Sequence, residues 1–199
     1  INGSVTAFKI AAGKVLSVTG TQTEKITFQS TATAEVFRNE GTLNLTNVAV
    51  SGGKYAVNNR ANSTLNLTNI TINETTDNGL HLAGGTTTVT NVTISKAKGH
   101  GIGCYAELVL QPAAAGQTAL TIDGASTTKQ GLYVDWDGVV RGSGLDIKNT
   151  KNCGIFGNNA SGYTGINVNI SDVQIENVGE QGVQVKRGTA TISDFTIKG

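Results

Sequence analysis

The chain has 199 residues, only 15% of them are charged, and the formal net charge is +1. This balance excludes the basic field that nucleic-acid binding requires, and no apolar run approaches the ~18 residues of a membrane-spanning segment. Gly occurs 26 times, Thr and Asn are also frequent, and Pro occurs once. Because Gly, Thr and Asn are unfavourable inside helices, the composition predicts an all-β chain with many turns.

The sequence repeats itself along almost its whole length. Residues 43–50 (LNLTNVAV), 65–72 (LNLTNITI) and 87–94 (TTVTNVTI) are near copies that follow one another at a constant interval. Each copy ends on two apolar residues that flank a third residue. Eight such pairs, spaced at similar intervals, occur from Ile26/Phe28 to Phe195/Ile197. A repeat of this length indicates one supersecondary unit stacked on the next.

Each unit contains two further short runs in which every second residue is apolar, which predicts three short strands per unit. One of these runs follows a small residue, as in 79–82 (GLHL) and 101–104 (GIGC). A leucine-rich repeat would add a helix to each unit, and a propeller blade would need about twice the length. We therefore predict an all-β fold, a right-handed parallel β-helix of about eight coils of 22–28 residues. It would form a single domain over residues 1–199, as an internal piece of a longer chain.

The repeat also predicts where each common residue type lies. Val, Ile and Leu should point inward, and Thr should line the outward faces, since it favours strands. Asn47, Asn69 and Asn91 recur at one turn of successive units, and Asp172 and Asp194 take the same place later in the chain. Asn accepts a left-handed backbone and can satisfy neighbouring turn groups through its side chain. We expect these residues to lie one above another along this turn, each side chain bonding the backbone of its neighbour.

Aromatic residues and insertions point to a binding surface. The middle residue of the second run in each unit should point outward, and these residues are Phe37, Asn58, His81, Gly103, Tyr133, Phe156 and Gln184. Extra residues occur near Trp136 and in 156–165, and insertions in repeat proteins map to loops that often lie on the binding face. Exposed aromatic rings can stack on sugars or anchor a protein partner. We expect the binding surface to include His81, Tyr133, Trp136, Asp137, Phe156 and Tyr163.

Two groups of polar residues are candidates for a catalytic or a metal site. Residues 99–101 (Gly-His-Gly) resemble a motif of the polygalacturonases, which are also parallel β-helices and pair this His with several acidic residues. Here Asp77 is the one acid offered, whereas glycoside hydrolysis uses two carboxylates at a set separation. Asp135, Asp137 and Asp146 supply two or three of the six to eight oxygens that calcium takes. We therefore predict no catalytic residue, no metal site and no cofactor.

The chain has two cysteines, and the repeat places them in different units. Cys104 is the inward residue of its strand, and Cys153 lies at a turn two coils further on. Two strand spacings are near 10 Å, whereas a disulfide needs Cα atoms within about 7 Å of each other. We predict two free thiols.

The coil length, the Asn turn row and the Thr-rich faces resemble the pectin-lyase-like β-helix superfamily. Within it, the low Cys content and the lack of an acidic cluster resemble the passenger regions of bacterial autotransporters and polymorphic outer membrane proteins. Residues 156–159 (FGNN) match the Phe-x-x-Asn motif of the polymorphic proteins.

This resemblance implies a segment of a bacterial adhesin, extracellular or on the cell surface, whose loops bind a host protein or a glycan. The charge balance and the lack of a long apolar run predict, in addition, no nucleic-acid partner and no membrane insertion of this segment. Two alternatives remain open: a polysaccharide-active lyase, glycoside hydrolase or tailspike-type domain, and a spacer without a ligand.

Overall fold

The structure, a computed structural model, describes residues 6–31, 33–158 and 161–199; Asn159, the last residue of the Phe-x-x-Asn match, lies outside them. All regular structure in these ranges is β-strand, and they hold no helix long and apolar enough to cross a membrane. The strands are β1 (Phe8–Ile10), β2 (Val15–Thr19), β3 (Ile26–Ser30), β4 (Phe37–Asn39), β5 (Thr42–Thr46), β6 (Val48–Gly52), β7 (Val57–Asn59), β8 (Thr64–Asn73), β9 (Leu80–Leu82), β10 (Thr86–Ser95), β11 (Ile102–Cys104), β12 (Glu107–Leu110), β13 (Leu120–Asp123), β14 (Leu132–Val134), β15 (Val139–Lys148), β16 (Ile155–Gly157), β17 (Ile166–Glu176), β18 (Val183–Val185) and β19 (Gly188–Lys198).

The strands form two sheets in which all recorded pairs are parallel. Three-residue strands build the first sheet, in the order β1-β4-β7-β9-β11-β14-β16-β18, and we call it the short-strand sheet. The second, the long-strand sheet, has the order β2-β5-β8-β10-β12-β15-β17-β19, with β3, β6 and β13 pairing alongside. Each strand pairs with its equivalent in the neighbouring repeat, so the expectation of an all-β fold with parallel sheets is confirmed. The arrangement is compatible with a parallel β-helix.

The sequence predicts three separate strands per unit. In much of the long-strand sheet, however, the third run of one unit and the first run of the next form one continuous strand. Strands β8, β10, β17 and β19 each pass through one residue with a left-handed backbone. These residues are Asn69, Asn91, Asp172 and Asp194, with φ between 50° and 56°. A single left-handed residue turns the chain while the ladders on both sides of it continue.

The predicted row of Asn residues at this bend is confirmed, but their side chains bond mainly to one another and not to the neighbouring backbone. Asn91 Nδ2 donates to Asn69 Oδ1 at 2.8 Å, and Asn69 Nδ2 donates to Asn47 Oδ1 at 3.1 Å. Asn47 Nδ2 in turn donates to the Gly20 carbonyl at 3.0 Å. Each amide therefore satisfies its neighbour, and the bend is held by hydrogen bonds between repeats.

One apolar cluster joins the inward residues of both sheets. It includes Leu80 and Ile102 from the short-strand sheet and Leu65 and Ile94 from the long-strand sheet, all of them fully buried. A fully buried side chain of this kind contributes about 1.5–3 kcal/mol. The inward placement of Val, Ile and Leu is confirmed.

Both cysteines are buried and free, as predicted. Cys104 lies in the apolar cluster, and its burial raises the pKa of the thiol to about 12. The Gly131 amide donates to the Cys153 carbonyl, which places Cys153 in the predicted turn row.

The prediction that Phe37 points outward is wrong. Phe37 is fully buried, and the register pairs Arg38 with Asn58, so Arg38 takes the outward position in β4. The error arises because the other inward residue of this strand is polar. Asn39 is buried, and its Nδ2 donates to Asn59 Oδ1 and to the Thr64 carbonyl, each at 2.8 Å. A buried Asn satisfied in this way breaks the apolar alternation from which the strand was placed.

Candidate binding surface

Eight rings form one continuous patch on and beside the outer face of the short-strand sheet, which we call the aromatic strip. Its members are Tyr55, His81, His100, Tyr105, Tyr133, Trp136, Phe156 and Tyr163. They include all four Tyr, both His and the single Trp of the sequence. The chain has few aromatic residues, and the fold collects most of them in one place.

One line of rings runs along the strip. Tyr55 stacks on His81 with ring centroids 4.7 Å apart and planes 11° apart. Tyr105 follows, 5.1 Å from His81 and 4.8 Å from Trp136. Trp136 then stacks on Tyr163 at 5.5 Å with an angle of 10° between the planes. Such pairs contribute about 0.5–1.5 kcal/mol each beyond the area they bury.

A second branch is centred on Tyr133. Its ring lies 4.4 Å from His100 and nearly parallel to it, at 11°, and 5.7 Å from Phe156. The strand register pairs Tyr133 with Phe156 directly, whereas His100 lies at the turn before β11. Tyr105 is 6.1 Å from Tyr133 and links the two branches.

A buried carboxylate organises the centre of the strip. Asp135 is 6% exposed, and its Oδ2 accepts hydrogen bonds from the Tyr133 hydroxyl and from Asn158 Nδ2, each at 2.8 Å. Its Oδ1 accepts from the Trp136 amide at 2.7 Å. These bonds fix Tyr133 and the backbone of Trp136 relative to each other.

Trp136 has an unusual backbone for a bulky residue. Its φ is 56°, in the left-handed region, and its side chain is 40% exposed. The left-handed backbone costs free energy, and backbone outliers of this kind cluster at functional sites. The hydrogen bond that the Trp136 amide donates to Asp135 compensates part of this cost and keeps the indole on the surface.

Asp137 does not touch the rings but holds the loop that carries Tyr163. Its Oδ1 accepts from the Thr164 amide at 2.8 Å, the Thr164 hydroxyl at 2.6 Å and the Gly165 amide at 3.3 Å. The hydroxyl bond is the main reason that the pKa of Asp137 lies below its usual value. Because Tyr163 directly precedes Thr164, this contact helps to position the Tyr163 ring against Trp136. The Tyr163 side chain is 36% exposed.

The rings of the strip are uncharged near pH 7. Burial lowers the pKa of His100 to about 4 and also lowers the pKa of His81, so both imidazoles are neutral. Burial raises the pKa of Tyr105 to about 12 and also raises the pKa values of Tyr55 and Tyr133, so the phenols stay protonated. The strip therefore offers uncharged apolar rings and protonated phenol hydroxyls, of which that of Tyr133 is already bonded to Asp135.

Charged groups lie at the edges of the strip. Lys54 Nζ lies 5.1 Å from the centre of the Tyr55 ring and 3.9 Å from Asp77 Oδ2. Lys186 Nζ lies 5.0 Å from the centre of the Phe156 ring. Cations over ring faces are attracted by the ring quadrupole and keep the rings in place.

The residues considered as catalytic or metal-binding do not assemble into such a site. Within the described ranges, no group of three or more His, Cys, Asp or Glu side chains could hold a metal ion. His100 Nδ1 is buried without a hydrogen-bond partner, and this ring stacks on Tyr133. Asp146 lies in the long-strand sheet, paired with Thr121, and is not part of the Asp135 network.

The structure brings together the six residues expected from the sequence, five as ring contacts and one as their support. His81, Tyr133, Trp136, Phe156 and Tyr163 are in the strip, and Asp137 positions Tyr163. Tyr55, His100 and Tyr105 were missed as binding residues because they lie beside a strand and do not occupy its outward position. One signal could have found Tyr105: it directly follows a strand whose outward residue, Gly103, leaves a gap.

Comparison with protein-family models, with curated proteins and with solved structures finds no match for this chain.

Proposed function

We propose that this chain is a segment of a secreted or surface-displayed bacterial adhesin whose aromatic strip binds a glycan. The two sheets would be faces of one right-handed parallel β-helix of about eight coils. Crossover connections between parallel strands of one sheet are right-handed in about 98% of cases. Such a rod would be stiff and would present the strip along its side.

The observation that carries the proposal is the collection of every Tyr, His and Trp side chain in one surface strip. Large rings at the surface bury apolar area on contact with a ligand at little cost in side-chain entropy. A row of rings linked at 4.4–6.1 Å suits a chain-like ligand, which can contact several of the rings at once. Phenolic hydroxyls of the strip, such as that of Tyr105, would bond the hydroxyl groups of a sugar.

A glycan fits the strip better than a protein partner does. Protein hot spots are a few anchors in the centre of a broad interface, whereas these rings follow the stacking direction of the strands. Weak stacking contacts would gain strength from many copies displayed on one surface.

Trp136 makes the proposal directly testable, since it is the single Trp and lies in the strip. Oligosaccharides of several classes should change its fluorescence and bind in calorimetry. Tyr163→Ala should weaken binding at least tenfold because a stacked ring is lost, whereas Tyr163→Phe, the matched control, should bind nearly as the parent does.

The proposal would be contradicted if the parent bound a glycan and both Tyr163→Ala and a second ring variant, Tyr105→Ala, bound it with the same affinity. So would the lack of any response to a broad set of immobilised glycans. Circular dichroism of each variant shows that the fold is retained.

A polysaccharide-active enzyme is the second candidate, and one observation favours it. Asp77 and Asp135 border the same strip, and the charges of both contribute to the raised pKa of Tyr105, after burial itself. Two carboxylates beside one ligand surface are what glycoside hydrolysis uses. Incubation with the polysaccharides that bind, followed by an assay for new reducing ends, tests this candidate. Product formation that Asp77→Asn abolishes would favour catalysis over binding alone.

A further inference from the structure

An open pocket of about 620 Å³ continues the strip toward the N-terminal repeats. Two arginines, Arg38 and Arg60, line it together with one acidic residue, Glu40, and small residues such as Ala61 and Ala83. Arg60 and Tyr105 directly follow β7 and β11, which are two strands apart in the short-strand sheet. The pocket and the rings therefore lie along one face, about 10 Å apart by strand spacing.

The pocket carries positive charge that the protein compensates only in part. Arg38 Nε donates to Glu40 Oε1 at 2.8 Å, and Lys9 Nζ lies 3.2 Å from Glu40 Oε2. These two cations share one carboxylate. Arg60 forms no ion pair with any carboxylate in the described part of the chain, and its Nε is buried without an acceptor.

We propose that the pocket at Arg60 and Arg38 is an anion subsite that takes a carboxylate or sulfate group of the glycan lying on the aromatic strip. This inference rests on the proposed function and adds the chemical class of the ligand, an acidic glycan. It assigns ring stacking and charge recognition to two different places on the same face.

The chemistry of the two arginines suits this role. A guanidinium offers donors in a planar fork that matches the oxygens of a carboxylate or sulfate group. Small neighbours leave room for a ligand group beside the fork, and the volume lies within the ~300–1,000 Å³ range of small-molecule sites. The positive charge of Arg60 also reaches the strip, where it contributes, after burial, to the lowered pKa of His81.

The experiment uses matched pairs of oligosaccharide probes on the full chain. One pair is a hyaluronan hexasaccharide and its carboxyl-reduced form; the other is a sulfated isomaltohexaose and its unsulfated form. Binding is measured by calorimetry and by Trp136 fluorescence at low and at high salt. The variants are Arg60→Gln, which removes the charge, and Arg60→Lys, which keeps the charge without the planar fork. Arg141→Gln is the control, because Arg141 pairs with Glu107 on the long-strand sheet.

We expect at least one acidic probe to bind tenfold or more tightly than its neutral partner, with the advantage shrinking at high salt. Arg60→Gln should remove that advantage and leave the neutral probe unchanged, which also shows that the variant is folded. Arg60→Lys should retain part of the advantage, and Arg141→Gln should retain all of it. The pair that responds distinguishes carboxylate from sulfate.

Two outcomes overturn the inference in distinguishable ways. If neutral and acidic probes bind equally and Arg60→Gln changes neither, the anion subsite is wrong while the glycan-binding strip stands. If no probe binds to the parent, and none binds on a broader immobilised set, the proposed function and the subsite fail together.

Discussion

Gly103 lies in the outward row of the short-strand sheet between His81 and Tyr133. A Cβ atom there would lie 2.5 Å from Asn78 Nδ2 and 3.2 Å from the Tyr105 ring. The missing side chain is what lets the Tyr105 ring lie between its aromatic neighbours. Continuity of the strip therefore depends on a residue that contributes no ring.

A second single residue, the buried His100, should make the stability of the fold depend on pH. Its pKa is lowered from 6.5 to about 4, mainly by burial and then by the charge of Lys129, while Asp77 opposes the shift. Between these two values the unfolded chain binds a proton that the folded chain does not, so the free energy of unfolding falls as the pH falls. The full loss is roughly 3 kcal/mol at most, by the ~1.4 kcal/mol per pKa unit of linkage.

Urea unfolding between pH 7.5 and 4 measures this loss. His100→Phe is the matched control, because it keeps a ring against Tyr133 and removes the titration. Its stability should fall less steeply, though not stay flat, since the pKa of His81 is lowered as well. An equally steep fall in His100→Phe would contradict the assignment to His100.

At the scale of elements, the bend in β8 and its neighbours depends on the Asn row. Asn69 combines a left-handed backbone with two side-chain hydrogen bonds, one to Asn47 and one from Asn91. Asn tolerates this conformation, whereas most residues pay about 1–2 kcal/mol to adopt it. Two independent requirements therefore favour Asn at this position: the left-handed backbone conformation and the hydrogen bonds between repeats.

Asn69→Ala should lower the free energy of unfolding by about 3–4 kcal/mol, from about 1–2 kcal/mol of backbone strain plus roughly 1 kcal/mol for each of the two lost hydrogen bonds. Asn69→Gly loses the same hydrogen bonds without the strain, so it should be less destabilised. Chemical denaturation of both variants gives the comparison. Equal destabilisation would show that the left-handed backbone contributes nothing to the choice of Asn.

At the scale of the molecule, binding should depend on ligand length. The strip extends from the repeat of β7 to that of β16, four strand spacings, or about 19 Å at ~4.8 Å per strand. Each further sugar that reaches another ring adds a stacking contact. We expect affinity to rise from disaccharide to longer members of a binding series and then level off.

Calorimetry on a length series of one glycan class measures this dependence. Phe156→Ala removes a ring from one end and should reduce the gain for long chains more than for disaccharides. Equal affinities for all lengths would show that one ring pair, and not the whole strip, forms the site.

The all-β class, the parallel pairing of repeats and the Asn row could be predicted from the sequence, because the repeat places apolar and turn residues at fixed intervals. The placement of Phe37 could not, since the buried Asn39 broke the alternation on which it rested. The merged strands were missed because an Asn bend and a strand end look alike in sequence.

Some residues of the candidate site could likewise be predicted from the sequence, and others could not. Outward strand residues such as His81, Tyr133 and Phe156 follow from alternation alone. Tyr55, Tyr105 and Arg60 lie at strand ends, where the direction of a side chain is set by the turn and not by the period of two. Their neighbours come from other repeats, as the stacking of Tyr55 on His81 shows.

The sequence alone determined the class of fold and, outside β4, the register of its repeats, because periodicity is a local property that most units carry in full. Only the tertiary structure decided that every Tyr, His and Trp shares one surface with an arginine pocket at its end. That juxtaposition depends on how turns orient side chains between stacked strands, which is a property of neighbouring repeats and not of any one of them.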